Sequence, residues 1–288
     1  MKLTIFTPTY NRAELLKRVY KSIAKEQTDD IEWLIVDDGS TDETELCVRS
    51  LANEASFPVR YIKKENGGKH TAHNTAVKEA YGEWFMCLDS DDLLSDGAIE
   101  NILSFLPRCT GDICAVAAYK RDLTGNPLGN RFEDGEPVRG IYTLLERYHG
   151  EYVFLFRTDT IRKYPYPVIQ GERFISECLL YDRLELEGCS VLPFNEVVQE
   201  CEYQAEGLSL GYKRLLKNNP CGVQMLYGQR IDLSETFKNR FVCCIKYCAF
   251  RILGKFKAPK YKGKYSSLIV LSYPFGILAA VYYLIRLG

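Results

Sequence analysis

None of the chain's 11 cysteines stands in CxxC spacing, which removes the common cysteine frameworks for zinc. Histidine is scarce as well, at three residues. His70 and His73 form an HxxH, but no cysteine lies nearby to complete a zinc set. Cys87, Cys114, Cys189 and Cys243 sit inside apolar runs, where cysteine packs as a small hydrophobe. Reduced, buried thiols in a cytosolic protein are therefore expected. The opening Met1–Thr7 is too short for a secretory leader and runs into Pro8 and polar residues, so none is expected. Internal repeats of useful length are also missing. Acid is absent after Glu235: residues 236–288 hold ten Lys/Arg and no Asp/Glu, for +10. The preceding residues hold the other 27 Lys/Arg against all 38 acids, for −11, a split hidden by the net charge of −1. A basic tail on an acidic body predicts a tail that meets an anionic surface.

What is present argues for a folded α/β protein. At 46% hydrophobic and 26% charged, 288 residues can bury a sizeable core as one large domain or one domain with an appendage. Strand and helix signals alternate through the first hundred residues. Strands are predicted over Leu3–Thr7, Ile31–Val36, Val59–Ile62 and Glu83–Leu88. Helices are predicted over Arg12–Lys25, over Glu43–Asn53 with Thr41-Asp42 as cap and Glu45 as capping-box partner, and from Gly67-Gly68 to Tyr81, with Gly82 as the C′ residue. Repeated βα units with short connections imply a parallel sheet, whose ligands bind outside the carboxyl ends of the strands. A further strand is expected at Asp112–Tyr119; after a loop-rich stretch at Arg121–Gly140 come strands at Glu151–Arg157, Cys189–Leu192 and Val197–Glu202, and a helix at Ile175–Glu187.

The tail differs in character. Leu233–Phe256 reads as a helix, Lys255–Lys264 as a basic linker, and Ser267–Ile285 as 19 uncharged residues interrupted by Pro274 and Gly276. That length is near the lower limit for crossing a bilayer. A spanning helix, an interfacial or re-entrant hairpin and a buried core helix all fit. The flanking lysines would face the cytoplasm.

Four polar segments follow the first four predicted strands: Thr7-Pro8-Thr9-Tyr10-Asn11-Arg12, Val36-Asp37-Asp38-Gly39-Ser40-Thr41-Asp42, Glu65-Asn66-Gly67-Gly68-Lys69-His70 and Leu88-Asp89-Ser90-Asp91-Asp92. The three carboxylates of the last segment repel one another, and a hard divalent cation compensates them. Such a cation can also hold a diphosphate, the leaving group of an activated sugar. The plainer alternative is a solvated acidic turn in which Ser90 or Asp92 caps the next helix. Pro8–Tyr10 offers backbone groups and an aromatic face to a nucleobase, or is an ordinary turn. Asp38 can accept an imide N–H, and Asp37 can contact ribose or fix the turn. Gly67-Gly68 lets a backbone approach a ligand at a helix N-terminus that favours anions, where Lys69 and His70 could face a diphosphate. Otherwise Lys69 is a surface lysine and His70 a packed one.

Taken in order, these segments resemble the family 2 glycosyltransferases, of the GT-A nucleotide-diphosphosugar transferase fold. The resemblance is strong over 1–100. It continues in weaker echoes at Gly171–Glu177, at Glu202-Tyr203 with Gly207-Leu208-Ser209, and at Lys217-Asn218-Asn219-Pro220. The later echoes resemble the branch that builds bacterial surface polysaccharides such as capsule and O-antigen. The resemblance implies a mostly parallel, Rossmann-like sheet flanked by helices, followed by a membrane-associating helical tail. Residues 1–105 would bind the nucleotide sugar, 106–220 the acceptor, and 221–288 the membrane. Pro8, Thr9, Tyr10, Arg12, Asp37, Asp38, Gly68, Lys69, Asp89 and Ser90 would contact the donor, with Asp38 on the uracil. Asp91, with Asp89 and Asp92, would hold Mn²⁺ or Mg²⁺. The catalytic base would be Glu177, standing alone where the family has an acidic pair, with Asp182 next and Glu172 third. The implied activity is inverting transfer of a hexose or N-acetylhexosamine from a UDP-sugar to a saccharide, lipid-linked acceptor at the inner face of the cell membrane. No nucleic-acid partner is expected. Two other functions compete. A sugar-nucleotide nucleotidyltransferase would need a Gly-rich phosphate loop where Pro8–Arg12 stands, and an inactive scaffold would have no use for the aspartates.

Overall fold

The computed structural model describes residues 1–26, 28–133, 135–202 and 212–286. The echo at Tyr203 and Gly207-Leu208-Ser209 lies outside the described residues. The chain packs as two compact units, Met1–Pro165 with Gly188–Gln204, and Tyr166–Glu187 with Ala205–Gly288.

The first unit contains strands β1 (Leu3–Thr9), β2 (Ile31–Asp37), β3 (Val59–Lys63), β4 (Trp84–Cys87), β5 (Leu93–Leu94), β6 (Ile113–Asp122), β7 (Tyr152–Arg157) and β8 (Ser190–Cys201). Its helices are α1 (Ala13–Ala24), α2 (Thr44–Glu54), α3 (Lys69–Glu79), α4 (Ala98–Phe105), α5 (Ile141–Tyr148) and α6 (Thr158–Ile161). The strands form one sheet in the order β3-β2-β1-β4-β7-β6-β8-β5. The β3-β2-β1-β4 portion is parallel, β7 is antiparallel to β4 and β6, and β8 is parallel to β6. All seven residues of β2 are buried, as expected of a strand covered on both faces. Chain order reverses between β1 and β4, so their carboxyl ends flank the crevice where such sheets bind ligands.

Several local expectations change. Helix α3 ends at Glu79, with Ala80 already extended, so Gly82 is not its C′ residue. Gly82 instead lies against β1: a Cβ there would meet Thr4 N at 2.4 Å, and its N–H donates to Thr4 Oγ1 at 2.9 Å. The start of α2 is held by Asp42, whose Oδ1 accepts from Thr44 N at 3.1 Å, while Glu45 pairs with Arg49 rather than closing a capping box. The two strands expected at 189–202 are one. Strand β8 pairs Phe194 with Ala118 and Val197 with Tyr119, and the extra residues between them bulge, with Asn195 Oδ1 accepting from the Tyr119 hydroxyl at 2.8 Å. The expectation of reduced thiols fails at one pair: Cys114 in β6 and Cys189, immediately before β8, have Cα atoms 5.7 Å apart and form a disulfide.

The second unit is helical, with α7 (Cys178–Leu186), α8 (Tyr212–Asn218), α9 (Pro220–Leu233), α10 (Phe237–Leu253) and α11 (Ser266–Arg286). Ile231, Cys244, Tyr247, Cys248 and Ile269 form its apolar centre. Helix α11 runs unbroken through Pro274, so the segment is not a hairpin. Gly276 lets α11 approach α10 closely, since a Cβ there would meet Cys248 Cβ at 2.3 Å. The helix is long and apolar enough to cross a membrane, and Val270, Leu271, Leu278 and Ile285 are exposed on it.

Candidate active site

The loops after β1, β2 and β3 are tied together before any ligand is considered. Asn11, in the left-handed region at φ 52, receives Thr41 N on Oδ1 at 2.8 Å and donates its own N–H to Ser40 Oγ at 2.8 Å. Asp37 is buried and fixes the turn: its Oδ1 accepts from Ser40 N at 2.7 Å and its Oδ2 from the Tyr61 hydroxyl at 2.5 Å. Burial first, then the Asp37 carboxylate, pushes the Tyr61 pKa up. Asp38 reaches across to the loop before α3. It accepts from Gly67 N at 2.9 Å, Gly68 N at 2.7 Å and Lys64 Nζ at 2.6 Å. The Gly67 and Gly68 amides therefore face Asp38, and Gly68 takes φ 94 to do so.

Beside this frame lie polar atoms with no partner among the described residues: Thr9 Oγ1 and both ring nitrogens of buried His70. Burial pushes the His70 pKa down and so favours the neutral ring, against the pull of nearby Asp38 towards the charged form. Tyr10 is exposed at the rim, and Pro8 stands in β1 opposite Val36.

The aspartates follow β4, and each meets a cation from a different element. Lys69 Nζ at the start of α3 is 2.8 Å from Asp89. Arg12 Nη1 donates to Asp91 Oδ2 at 2.9 Å and to Ser90 Oγ at 3.0 Å. Lys120 Nζ on β6 is 3.6 Å from Asp92. Burial alone would raise the Asp89 pKa, but Lys69 and Lys120 outweigh it and hold the carboxyl below its ordinary value. At Asp92 burial wins over Lys120, with Asp89 and Asp91 adding repulsion, and the pKa rises to about 6. Sequence reading missed Lys120, a lone lysine closing the apolar run of β6, and Gln199, whose Nε2 donates to Cys87 O at 2.7 Å and pins the end of β4. Neither belongs to a local motif; sheet order alone brings them here.

Among the described residues no three His, Cys, Asp or Glu side chains converge on one point. The donor types nevertheless suit Mg²⁺ or Mn²⁺. These are hard carboxylate oxygens in a place that already draws three side-chain cations, and phosphate oxygens and water complete such a shell.

The three carboxylates considered as base belong to the second unit. Glu172 is buried, and its two oxygens accept from Cys221 N at 2.7 Å and Gly222 N at 2.9 Å, capping α9. Asp182 is buried at 1% exposure and pairs with Arg230 Nε at 2.9 Å. Glu177 is exposed immediately before α7, with the Tyr181 hydroxyl 3.5 Å from Oε2.

Comparison with known proteins agrees with this architecture. The family description "Glycosyl transferase family 2" matches residues 4–170. A Campylobacter jejuni GalNAc(5)-diNAcBac-PP-undecaprenol beta-1,3-glucosyltransferase is 33% identical over 164 residues, which cover 56% of this chain and 53% of that protein. The Staphylococcus aureus poly(ribitol-phosphate) beta-N-acetylglucosaminyltransferase TarS is 29% identical over 118 residues, 40% of this chain and 21% of that protein. The chain thus matches about half or less of each relative's length. In structure, TarS 1-349 in complex with UDP-GlcNAc superposes with a TM-score of 0.62 at 15% identity, covering 98% of this chain and 90% of that one. The mannosyltransferase PcManGT from Pyrobaculum calidifontis, in complex with GDP-Man and Mn²⁺, gives 0.58 at 18% identity, covering 99% and 85%. With strand order, strand-end segments and family match in agreement, the chain belongs to glycosyl transferase family 2 and carries the GT-A fold.

Proposed function

We propose that the protein transfers a hexose or N-acetylhexosamine, with inversion, from a UDP-sugar to a lipid-linked saccharide during synthesis of a cell-surface polysaccharide. The observation that carries this reading is the Asp89–Asp92 cluster at the carboxyl end of β4, at the sheet's switch point and in contact with Arg12 from the β1 loop. Residues 1–105 bind the donor, and residues 106–220 the acceptor. Tyr10 covers the base from the rim, with Pro8 and Thr9 beneath it. A carboxylate has about four acceptor positions. Gly67, Gly68 and Lys64 occupy three on Asp38, which leaves one for the uracil imide. Asp37 keeps this turn rigid. Lys69, the first residue of α3 after Gly68, supplies positive charge to the diphosphate. Asp91, Asp89 and Asp92 would hold Mn²⁺ or Mg²⁺, which as a Lewis acid would neutralise charge on the departing diphosphate.

Glu177 takes the proton from the acceptor hydroxyl as that oxygen attacks the anomeric carbon. The assignment rests on the family resemblance; Glu172 caps a helix and Asp182 holds an ion pair with Arg230. The basic, apolar tail at 221–288 holds the enzyme at the inner face of the membrane, where its acceptor resides.

Calorimetric titration distinguishes the readings. UDP should bind more tightly with Mn²⁺ than without it. A preference for a nucleoside triphosphate would favour a nucleotidyltransferase, and no binding a non-enzymatic scaffold. Asp91→Ala should abolish metal-dependent transfer. Glu177→Gln should abolish transfer while UDP-sugar binding persists; wild-type turnover in this variant would refute the base assignment.

A further inference from the structure

The tip of β4 is not a bare acidic cluster. Its carboxylates are neutralised one by one, by Lys69 from α3, Arg12 from the β1 loop and Lys120 from β6. Arg12 is held twice, on Asp91 and on Ser90 of the same turn. The Arg12 and Asp91 side chains keep 33% and 19% exposure, so this pair can part without opening the core. A guanidinium on Asp91 Oδ2 opposes a divalent cation on the same carboxylate, because it occupies one of the oxygens and its positive charge repels the cation. A diphosphate offers Arg12 and Lys69 replacement anions, and guanidinium geometry matches phosphate in a bidentate fashion.

We propose that Arg12, supported by Lys69, locks the aspartates against a bare divalent cation, and that a nucleoside diphosphate opens the lock by drawing these side chains onto its phosphates. The proposal rests on the reading above, that this crevice takes a nucleoside diphosphate together with a cation. It adds a binding order: the cation enters with the nucleotide or after it. By linkage, nucleotide and cation must strengthen each other's binding by the same factor.

The test uses the full chain, with Mn²⁺ binding followed by electron paramagnetic resonance and UDP binding by calorimetry. Wild-type protein should bind Mn²⁺ alone at least about tenfold more weakly than at saturating UDP, within the usual range of coupling. Arg12→Gln should bind Mn²⁺ alone about tenfold more tightly than wild type, and its coupling to UDP should shrink by a similar factor. Arg12→Lys keeps the charge and should bind Mn²⁺ alone about as weakly as wild type, which separates the lock from a general disturbance of the loop. The proposal is overturned if Arg12→Gln binds Mn²⁺ alone no more tightly than wild type, or if Arg12→Lys behaves as Arg12→Gln does. A wild-type protein that fails to bind UDP and Mn²⁺ together overturns the underlying reading, and the lock with it. That result differs from intact ternary binding that is insensitive to Arg12.

Discussion

Two carboxylates five residues apart, Glu177 and Asp182, show how much a residue's role depends on what surrounds it. Asp182 is buried against Arg230, while Glu177 stands in solvent. Removing one partner of a buried pair leaves an uncompensated charge at a cost of about 3–5 kcal/mol. Arg230 keeps 26% side-chain exposure, so Asp182→Asn should fall at the lower end of that range. Glu177→Gln should change stability by no more than about 0.5 kcal/mol, as exposed substitutions do. Urea unfolding of both variants checks the contrast, and equal stabilities would contradict it. The sequence places both residues on one predicted helix but does not show which one is buried, because Arg230 lies on a helix far along the chain. The same holds for the aspartates. Their spacing announces a need for positive charge, yet the three cations that meet it come from residues 12, 69 and 120, which only the sheet brings together.

At the level of elements, strand ends are the most legible feature, because an apolar run that stops at a carboxylate or glycine marks both the edge of the sheet and the mouth of the crevice. Periodicity and breakers are read less well where tertiary packing overrides them. The bulge in β8 looks like a gap between two strands, and Pro274 looks like a break in a helix that in fact continues. Gly82 looks like a helix stop but is a point of close backbone approach. Gly82→Ala would press a methyl group into Thr4 N and Leu3 C, at 2.4 and 2.6 Å, both backbone atoms of the central strand β1. Overpacking against a strand that cannot yield should cost about 1–3 kcal/mol. Gly228→Ala is the matching control. It lies inside α9 with Tyr247 ring carbons 3.6 and 3.7 Å from the new Cβ, an ordinary contact. Alanine's helix preference should make that variant as stable as wild type or more so by up to about 1 kcal/mol. Opposite shifts in the urea midpoint are expected, and a stable Gly82→Ala would mean that β1 can move aside.

Across the whole chain, the acid-free stretch from residue 236 follows a body whose net charge is −11. Lys255, Lys257, Lys260, Lys262 and Lys264 are all exposed. The linker that carries them is pinned, with Gln224 Nε2 donating to Pro259 O at 2.9 Å and Tyr261 N to the Tyr247 hydroxyl at 2.8 Å. Positive charge is thus displayed from a fixed loop just before the apolar helix α11. Two forces would then act on a bilayer, and they separate experimentally. Near anionic lipid each lysine contributes about 1 kcal/mol, attenuated by salt over a Debye length of about 10 Å at 0.1 M. Replacing all five with glutamine should therefore weaken binding to phosphatidylglycerol vesicles by about a hundredfold or more at low salt, and much less at 0.5 M. The apolar contribution does not depend on lipid charge. Removal of residues 266–288 should therefore abolish sedimentation with neutral phosphatidylcholine vesicles, whereas the glutamine variant retains it. Wild-type protein that stays in the supernatant with both vesicle types would refute the proposed membrane role of the tail. Equal affinity for neutral and anionic vesicles would assign that role to α11 alone and leave the lysines without a part in it.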